Sequence, residues 1–186
     1  MLAGLRKPKN TAVFISGNGS TLQALLEMQH QFFIKVIVSN RKNILGPIKA
    51  KRFGIRIIYL DPVATFKDLT KNLRAENIDQ LFLAGFMKVL PAEFVQDWQG
   101  QIFNIHPSLL PKYPGLRAAE KSFEDQVQMG VTIHHVTAEL DLGEKILQMK
   151  SIDLKQSLSI PIDEATLFLR RTEQHLLREF TLQRGL

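Results

Sequence analysis

The sequence predicts an α/β fold, a doubly wound and mostly parallel sheet with a mixed C-terminal part. Short apolar runs rich in β-branched residues alternate in the first half of the chain with segments whose apolar residues recur at helical spacing. This alternation is typical of parallel strand–helix–strand units. After Gln101 three strand-like runs lie close together, which favours a mixed arrangement there.

Four buried strands and three helices are predicted before Gln101. The strands are the apolar runs bounded by turn residues, at 11–17, 32–40, 55–60 and 79–85. The helices between them carry Ser, Asn or Thr in their first turns as candidate caps, and we expect them at 20–30, 43–53 and 65–77. Each of the first three strands is thus followed by a helix that can pack on the sheet.

The second half is predicted to hold three more strands and a closing helix. The strands lie at 101–106, 131–137 and 145–154, and the amphipathic helix covers about 163–182. The chain has 186 residues, 45% of them hydrophobic, and shows no repeat, low-complexity tract or long linker. We therefore expect a single domain over residues 1–186.

Composition excludes several kinds of chemistry. The chain contains no cysteine, which rules out disulfides, thiol nucleophiles and thiolate metal sites. It has no run of about 18 apolar residues and no signal-peptide pattern at its start, so we expect a cytoplasmic protein. The formal net charge of +6 favours an anionic partner, although a merely basic surface explains it equally well.

A glycine-rich loop, SGNGST at 16–21, stands between the first predicted strand and the first helix. Gly17 and Gly19 let the backbone approach a ligand closely, and the amides of Gly19, Ser20 and Thr21 would point outward at the positive end of the helix dipole. We interpret the loop as a phosphate site. An ordinary turn in which Ser20 caps the helix is the alternative, but it leaves the second glycine unexplained.

An asparagine and a histidine share one side of a strand that a proline ends. Asn104 and His106 are two residues apart, so their side chains project to the same side, and Pro107 places His106 at the rim of the strand. The pair could stabilise a developing oxyanion, or the histidine could transfer a proton near neutral pH. A histidine bonded to backbone at a strand end is the alternative.

Two further segments carry candidate chemistry. Asp141 lies in AELDLGEKILQ, at 138–148, and could complete the set as a base for the ammonium proton of an acylated amine, although turn aspartates are usually structural. The segment LAGFMKVLP, at 83–91, follows a buried strand and offers Phe86, Met87 and Leu90. These side chains suit a flat aromatic ligand or, equally, the core.

Four segments together carry a family resemblance. ISGNGSTLQALL, LAGFMKVL, FNIHPSLLPKYPGL and HHVTAELDLGEKILQMK, in this order and spacing, closely resemble the phosphoribosylglycinamide formyltransferase family, the folate-dependent enzymes that formylate glycinamide ribonucleotide in purine biosynthesis. The resemblance covers most of the chain. It implies a Rossmann-type, formyltransferase-like half at about 11–100 that binds the nucleotide, and a half at 101–186 that holds the catalytic and folate-binding residues.

The resemblance also implies roles for particular residues. Asn104, His106 and Asp141 would be catalytic, 10-formyltetrahydrofolate would be the formyl donor, and no metal would be required. The substrate-binding residues would be Gly17, Asn18, Gly19, Ser20, Thr21, Glu173 and Gln174. The folate-binding residues would be Phe86, Met87, Lys88, Val89, Leu90, Asn104, Ala138, Glu139, Leu140 and Asp141. The partners would be small molecules, the phosphoribosylated amine and the folate, without nucleic acid or membrane, and the protein would be a monomer or homodimer.

The chain departs from the family at several ligand contacts. Thr21 stands where the family usually has Asn, Lys88 replaces Arg, and Glu173 and Gln174 stand in the reverse of the usual order. With Gln174 facing the acceptor, a neutral amide would meet it, whereas a slightly rotated helix would present Glu173. His134 could approach the site from its strand. A formyltransferase for another amine, such as a sugar nucleotide, and a catalytically weak relative that binds folate or a nucleotide remain alternatives.

Overall fold

The structure, a computed structural model, describes residues 9–28, 33–60, 65–155 and 160–183. In these ranges seven strands form one sheet in the order β3-β2-β1-β4-β5-β6-β7. The strands are β1 (Thr11–Ile15), β2 (Ile34–Ser39), β3 (Arg56–Tyr59), β4 (Gln80–Leu83), β5 (Ile102–His106), β6 (Gln128–His135) and β7 (Lys145–Asp153). The helices are α1 (Ser20–Glu27), α2 (Leu45–Arg52), α3 (Phe66–Ala75), α4 (Ala92–Asp97), α5 (Ala118–Glu124) and α6 (Ile162–Gln183).

The sheet is parallel from β1 to β5 and antiparallel at its C-terminal edge. β1 pairs with both β2 and β4, so the chain winds away from β1 in two directions. β6 runs antiparallel to β5, and β7 runs antiparallel to β6. The predicted fold class, including its mixed second half, is confirmed. Ligands of such sheets bind beyond the carboxyl ends of the strands where the winding reverses, which here means the segments that follow β1, β4 and β5.

Apolar side chains cover both faces of the central strands, which explains why β1 reads as a continuous apolar run. All five residues of β1 are buried. Val13 and Ile15 belong to a core that also contains Leu176 and Phe180 of α6. Phe14 lies in the core on the other face, with Leu73 of α3 and the residues Phe94, Val95 and Trp98 at α4. The two cores fix β1 and therefore the start of the loop after it.

Two short helices, α4 and α5, were not predicted from the sequence. α4 has six residues and α5 has seven, which is too short for apolar periodicity to be recognised. The predicted helix at 20–30 ends at Glu27, and the strand predicted from residue 32 begins at Ile34; residues 29–32 lie outside the described ranges. No helix in the described ranges is long and apolar enough to cross a membrane.

Candidate active site

The loop after β1 is held by the segment that follows β4 and by α2. Gly19 adopts a φ of +68° immediately before α1, a conformation that favours glycine. The Oγ of Ser16 accepts a hydrogen bond from the backbone N–H of Met87 at 2.8 Å, and Lys49 of α2 donates to the carbonyl oxygen of Gly19 at 3.0 Å. A Cβ at Gly46 would lie 2.8 Å from the carbonyl oxygen of Gly17. The close packing of α2 therefore fixes the backbone of this loop.

The start of α1 is open to an anion. Its N-cap is Gly19, and within the described residues no side chain makes a capping hydrogen bond there. The alternative in which Ser20 caps the helix is therefore not what the structure shows. Free amides at a helix N-terminus, with a glycine backbone before them, suit a phosphate group.

α6 presents Glu173 to this loop. The Oγ1 of Thr21 donates to Oε2 of Glu173 at 3.3 Å, whereas Gln174 is exposed. Burial raises the pKa of Glu173 to about 7, although the Thr21 hydroxyl and the charge of Arg170 act in the opposite direction. α6 is thus rotated so that Glu173, and not Gln174, faces the loop, which was the alternative considered for the sequence. The roles of both residues as substrate ligands stay predictions.

Three predicted catalytic side chains converge beyond β5. The Nδ2 of Asn104 lies 3.4 Å from Oδ1 of Asp141, and Nδ1 of His106 lies 3.5 Å from Oδ2 of the same carboxylate. His134 joins them from β6, where the strand register places it directly opposite Asn104. Its Nε2 lies 3.1 Å from Nδ2 of Asn104 and 3.4 Å from Oδ1 of Asp141.

Backbone groups hold Asp141 and His106 from outside the cluster. The N–H of Gly115 donates to Oδ2 of Asp141 at 2.7 Å, and Nε2 of His106 donates to the carbonyl oxygen of Tyr113 at 2.8 Å. Both backbone groups come from the proline-rich segment after β5. Asp141 itself has a φ of +55°, a strained conformation that these contacts maintain.

The loop that carries Asp141 lies against the end of β6. A Cβ at Gly143 would clash with the carbonyl oxygen of His135, so only glycine fits this close approach. Gly143, two residues after Asp141, is therefore the residue that lets the loop approach the strand.

The protonation states follow from these contacts. Burial alone would raise the pKa of Asp141, but its contacts with His134, with the amide of Gly115 and with His106 lower it to about 2. Burial lowers the pKa of His106 below its ordinary value, although the carbonyl of Tyr113 and the carboxylate of Asp141 oppose this change. At neutral pH the site therefore holds a carboxylate beside an uncharged imidazole.

The imidazole of His106 has one nitrogen available for chemistry. A carbonyl oxygen only accepts hydrogen bonds, so Nε2 must carry the proton that faces Tyr113. In the uncharged ring the lone pair then lies on Nδ1, which faces Asp141. Nδ1 can take up a proton from a substrate, and the carboxylate beside it would stabilise the resulting imidazolium.

Three of the predicted folate residues are exposed apolar side chains, and a fourth lines a cleft. Met87, Val89 and Leu140 are large apolar side chains that are exposed. A cleft of about 510 Å³ lies between α4 and the loop after β6, lined by Val95, Gln96, Gln99, Gly100, His135, Val136, Thr137, Ala138 and Glu144. Of the predicted folate residues, Ala138 lines this cleft.

The other members of the 86–90 segment have mixed environments. Phe86 packs edge-on against Phe14, with ring centroids 5.4 Å apart, and both Phe86 and Leu90 pack against the core. The ammonium group of Lys88 lies over the ring of Phe66 at 5.4 Å. Phe86 and Leu90 are therefore partly buried against the core, whereas Met87 and Val89 are exposed. The roles of all four as folate ligands stay predictions.

Several functional contacts have no signal in the sequence. The backbone groups of Tyr113, Gly115 and His135 could not have been recognised, because any residue type carries a backbone N–H and carbonyl. Lys49 reaches the glycine loop from a different helix. In the described ranges there is no cluster of three or more His, Asp or Glu side chains arranged to hold a metal ion.

Comparisons with known proteins agree with this architecture. Residues 9–159 match the Formyl transferase family. The trifunctional purine biosynthetic protein adenosine-3 of Drosophila melanogaster is 39% identical over 160 residues, which cover 77% of this chain and 12% of that protein. Phosphoribosylglycinamide formyltransferase of Escherichia coli K12 is 37% identical over 152 residues, which cover 76% of this chain and 72% of that enzyme.

A solved structure shares the same fold over nearly the whole chain. The crystal structure of phosphoribosylglycinamide formyltransferase from Anaplasma phagocytophilum superimposes with a TM-score of 0.85 at 31% identity, over 95% of this chain and 89% of that chain. The chain spans only a small part of the trifunctional relatives but most of the single-function enzymes. It therefore belongs to the formyl transferase family, among the phosphoribosylglycinamide formyltransferases.

Proposed function

We propose that this protein transfers the formyl group of 10-formyltetrahydrofolate to the amine of glycinamide ribonucleotide, a step of purine biosynthesis. One observation carries the proposal: Asn104 and His106 both lie within 3.5 Å of the Asp141 carboxylate, beside the rim of β5. Acyl transfer to an amine needs a hydrogen-bond donor for the oxyanion and a base for the ammonium proton. The names of the relatives support the choice of acceptor.

The geometry supports a metal-free addition–elimination mechanism. The amine nitrogen attacks the formyl carbon and forms the new C–N bond, while an N–H of Asn104 donates to the oxyanion. Nδ1 of His106 accepts a proton from the ammonium group, and Asp141 stabilises the imidazolium. The bond from the formyl carbon to N10 of the folate then breaks, and His106 returns the proton to the departing nitrogen.

The remaining predicted residues divide into two binding regions. The glycine loop with α1 suits the substrate phosphate, and Glu173 beside it can accept hydrogen bonds from ribose hydroxyls. The exposed apolar side chains of Met87, Val89 and Leu140 suit the folate, because a flat aromatic ligand can bury apolar surface against them. Location in the cytoplasm and a monomeric or homodimeric state stay predictions.

The test is a product assay with three acceptor conditions. Formation of tetrahydrofolate is measured with glycinamide ribonucleotide, with an amino-sugar nucleotide, and with no acceptor. We expect turnover in the first condition alone. Turnover with the amino-sugar nucleotide alone would assign another acceptor, turnover without any acceptor would assign hydrolysis, and the absence of turnover in all three would leave a binding function.

A further inference from the structure

We infer that Tyr113 and Asp125 are positioning residues for the proposed reaction. The hydrogen bond between their side chains holds the carbonyl group of Tyr113 against His106, and this contact fixes which nitrogen of His106 accepts the proton of the substrate amine. The inference rests on the proposed function. It starts from a tyrosine in a left-handed backbone conformation beside the catalytic histidine.

The backbone of Tyr113 is strained. Its φ is +55°, a conformation that is uncommon for a residue with a bulky side chain. Such a conformation persists only where the surrounding contacts over-determine it. In this conformation the carbonyl oxygen of Tyr113 lies 2.8 Å from Nε2 of His106. The backbone of Tyr113 therefore decides whether His106 has this partner.

The side chain of Tyr113 is tied to the end of α5. Its hydroxyl donates to Oδ2 of Asp125 at 2.7 Å, a length typical of a hydrogen bond to a carboxylate. Asp125 is the C-cap residue of α5, and its N–H donates to the carbonyl oxygen of Lys121 at 3.0 Å. Phe123, two residues earlier, packs against the core. The Asp125 carboxylate is therefore a fixed point outside the proline-rich segment.

Ser108 holds the same segment on the other side of Tyr113. Ser108 is completely buried, and its Oγ donates to the carbonyl oxygen of Lys112 at 2.6 Å. The backbone at Tyr113 thus lies between two anchors, Ser108 at the start of the segment and Asp125 at the end of α5. Loss of the second anchor would let the strained φ relax, which turns the carbonyl away from His106.

The contact with Tyr113 keeps Nδ1 of His106 basic. The carbonyl oxygen only accepts, so it holds the proton on Nε2 and leaves the lone pair on Nδ1, which faces Asp141. Without this carbonyl, the carboxylate of Asp141 would draw the proton to Nδ1, and that nitrogen could no longer take up a proton. The ionisable groups that face His106 are Asp141 and His134, and changes at Tyr113 or Asp125 leave both in the chain.

Tyr113→Phe removes the hydroxyl and keeps the ring. We expect kcat to fall about 3- to 10-fold, the range for the loss of one hydrogen bond, while the KM values of both substrates stay within about twofold. Burial lowers the pKa of His106 and the Tyr113 carbonyl opposes this change, so weakening the carbonyl contact should move the acid limb of kcat to lower pH. A merely structural role would lower kcat without moving this limb.

Variants of Asp125 test whether the two side chains act as a pair. Asp125→Ala should match Tyr113→Phe, and the double variant should lose no more than either single variant. Asp125→Asn keeps an acceptor oxygen and should return kcat to within about twofold of the original. Glu124→Ala is the control, because it removes the exposed ion pair of α5 with Arg117 and leaves the contact between Tyr113 and Asp125 in place.

Unchanged kcat in both single variants, additive losses in the double variant, an unmoved acid limb or a loss confined to KM would each overturn the inference. The tautomer gives a second test that needs no turnover. In protein labelled with 15N-histidine, His106 should carry its proton on Nε2 at neutral pH, and in Tyr113→Phe the signal should shift towards a protonated Nδ1.

The NMR result separates this inference from the proposed function. The same tautomer of His106 in both proteins, or a protonated Nδ1 in the original protein, would contradict the inference whatever the rates are. An original protein that forms no product with glycinamide ribonucleotide, but shows the expected tautomers, would contradict the proposed function alone.

Discussion

His106 combines a short contact on one nitrogen with a long contact on the other, and its pH dependence follows from this asymmetry. Burial lowers the pKa of the imidazole, so the uncharged base should predominate at neutral pH. We predict that kcat, measured with both substrates saturating so that the ionisation of Glu173 in acceptor binding does not enter, falls as the pH is lowered through a value below the ordinary histidine pKa of about 6.5. Rates across pH 5 to 8 (roughly the range in which histidine titrates) check this.

The opposite profile would assign a different role. If His106 acted as a permanent imidazolium that stabilises the oxyanion, activity would rise as the pH falls through its pKa.

His106→Ala should lower kcat about a hundredfold or more, the typical cost of losing a group that acts in the transition state, while folate binding stays close to that of the original protein.

The contact between Thr21 and Glu173 decides which residue of α6 serves the acceptor. Because Glu173 faces the glycine loop and Gln174 is exposed, we predict that Glu173→Gln raises KM for glycinamide ribonucleotide several-fold, on the order of the 0.5–1.5 kcal/mol that a typical hydrogen bond contributes. Gln174→Glu should change this KM little. A lower KM in Gln174→Glu, with no change in Glu173→Gln, would restore the rotation expected from the family order.

At the scale of elements, the junction of β1, its loop and α1 is the part of the acceptor site that depends on backbone shape. A Cβ at Gly19 would lie 3.2 Å from the Cα of Gly46, and the positive φ at Gly19 adds strain. We predict that Gly19→Val weakens binding of the nucleotide much more than binding of folate, measured by calorimetry. Gly54→Val is a matched control, because Gly54 has a φ of +69° with no other group within 4 Å.

An equal loss of both ligands in Gly19→Val, beyond the loss in Gly54→Val, would contradict the assignment. It would mean that the substitution damages the sheet as a whole and not an anion site at the start of α1. An anion seen at the α1 amides in a crystal grown with sulfate would agree with the assignment.

Much of the element order could be predicted because parallel strands buried on both faces leave unbroken apolar runs. The grouping of Asn104 and His106 with Asp141 could be expected from the sequence. Asn104 and His106 lie two residues apart on a strand that ends at Pro107, and Asp141 lies in a segment that carries the family resemblance. The short helices α4 and α5 could not be predicted, because they hold fewer than two full apolar repeats. The face of α6 also could not be predicted, since adjacent helical positions lie about 100° apart and the sequence alone does not determine whether Glu173 or Gln174 is turned towards the glycine loop.

At the scale of the whole molecule, the buried carboxylate of Asp141 links the active site to acid stability. Its folded-state pKa of about 2 lies below the ordinary aspartate value, so the ionised form contributes stability that is present above about pH 4 and lost as the pH falls towards 2. The ionised carboxylate contributes about 2 kcal/mol to the free energy of unfolding.

That residues 1–186 form a single domain stays a prediction.

Asp141→Asn tests this linkage. The variant should be less stable than the original protein at pH 7 in denaturant unfolding, and the difference should shrink as the pH is lowered from about 4 to 2. A difference that stays constant over that range would mean that the charge of Asp141 does not contribute to stability. His106→Gln, measured beside it, reports on the loss of a neighbour without removal of the carboxylate.

The most direct test of the central claim follows the transferred carbon. The protein is incubated with 10-formyltetrahydrofolate labelled with 13C in the formyl group and with glycinamide ribonucleotide, and the labelled products are identified by NMR. The account predicts that the label appears in the formylated nucleotide at the rate at which tetrahydrofolate forms, and that His106→Ala slows both together. Label that appears in formate, or that stays in the folate, would contradict it.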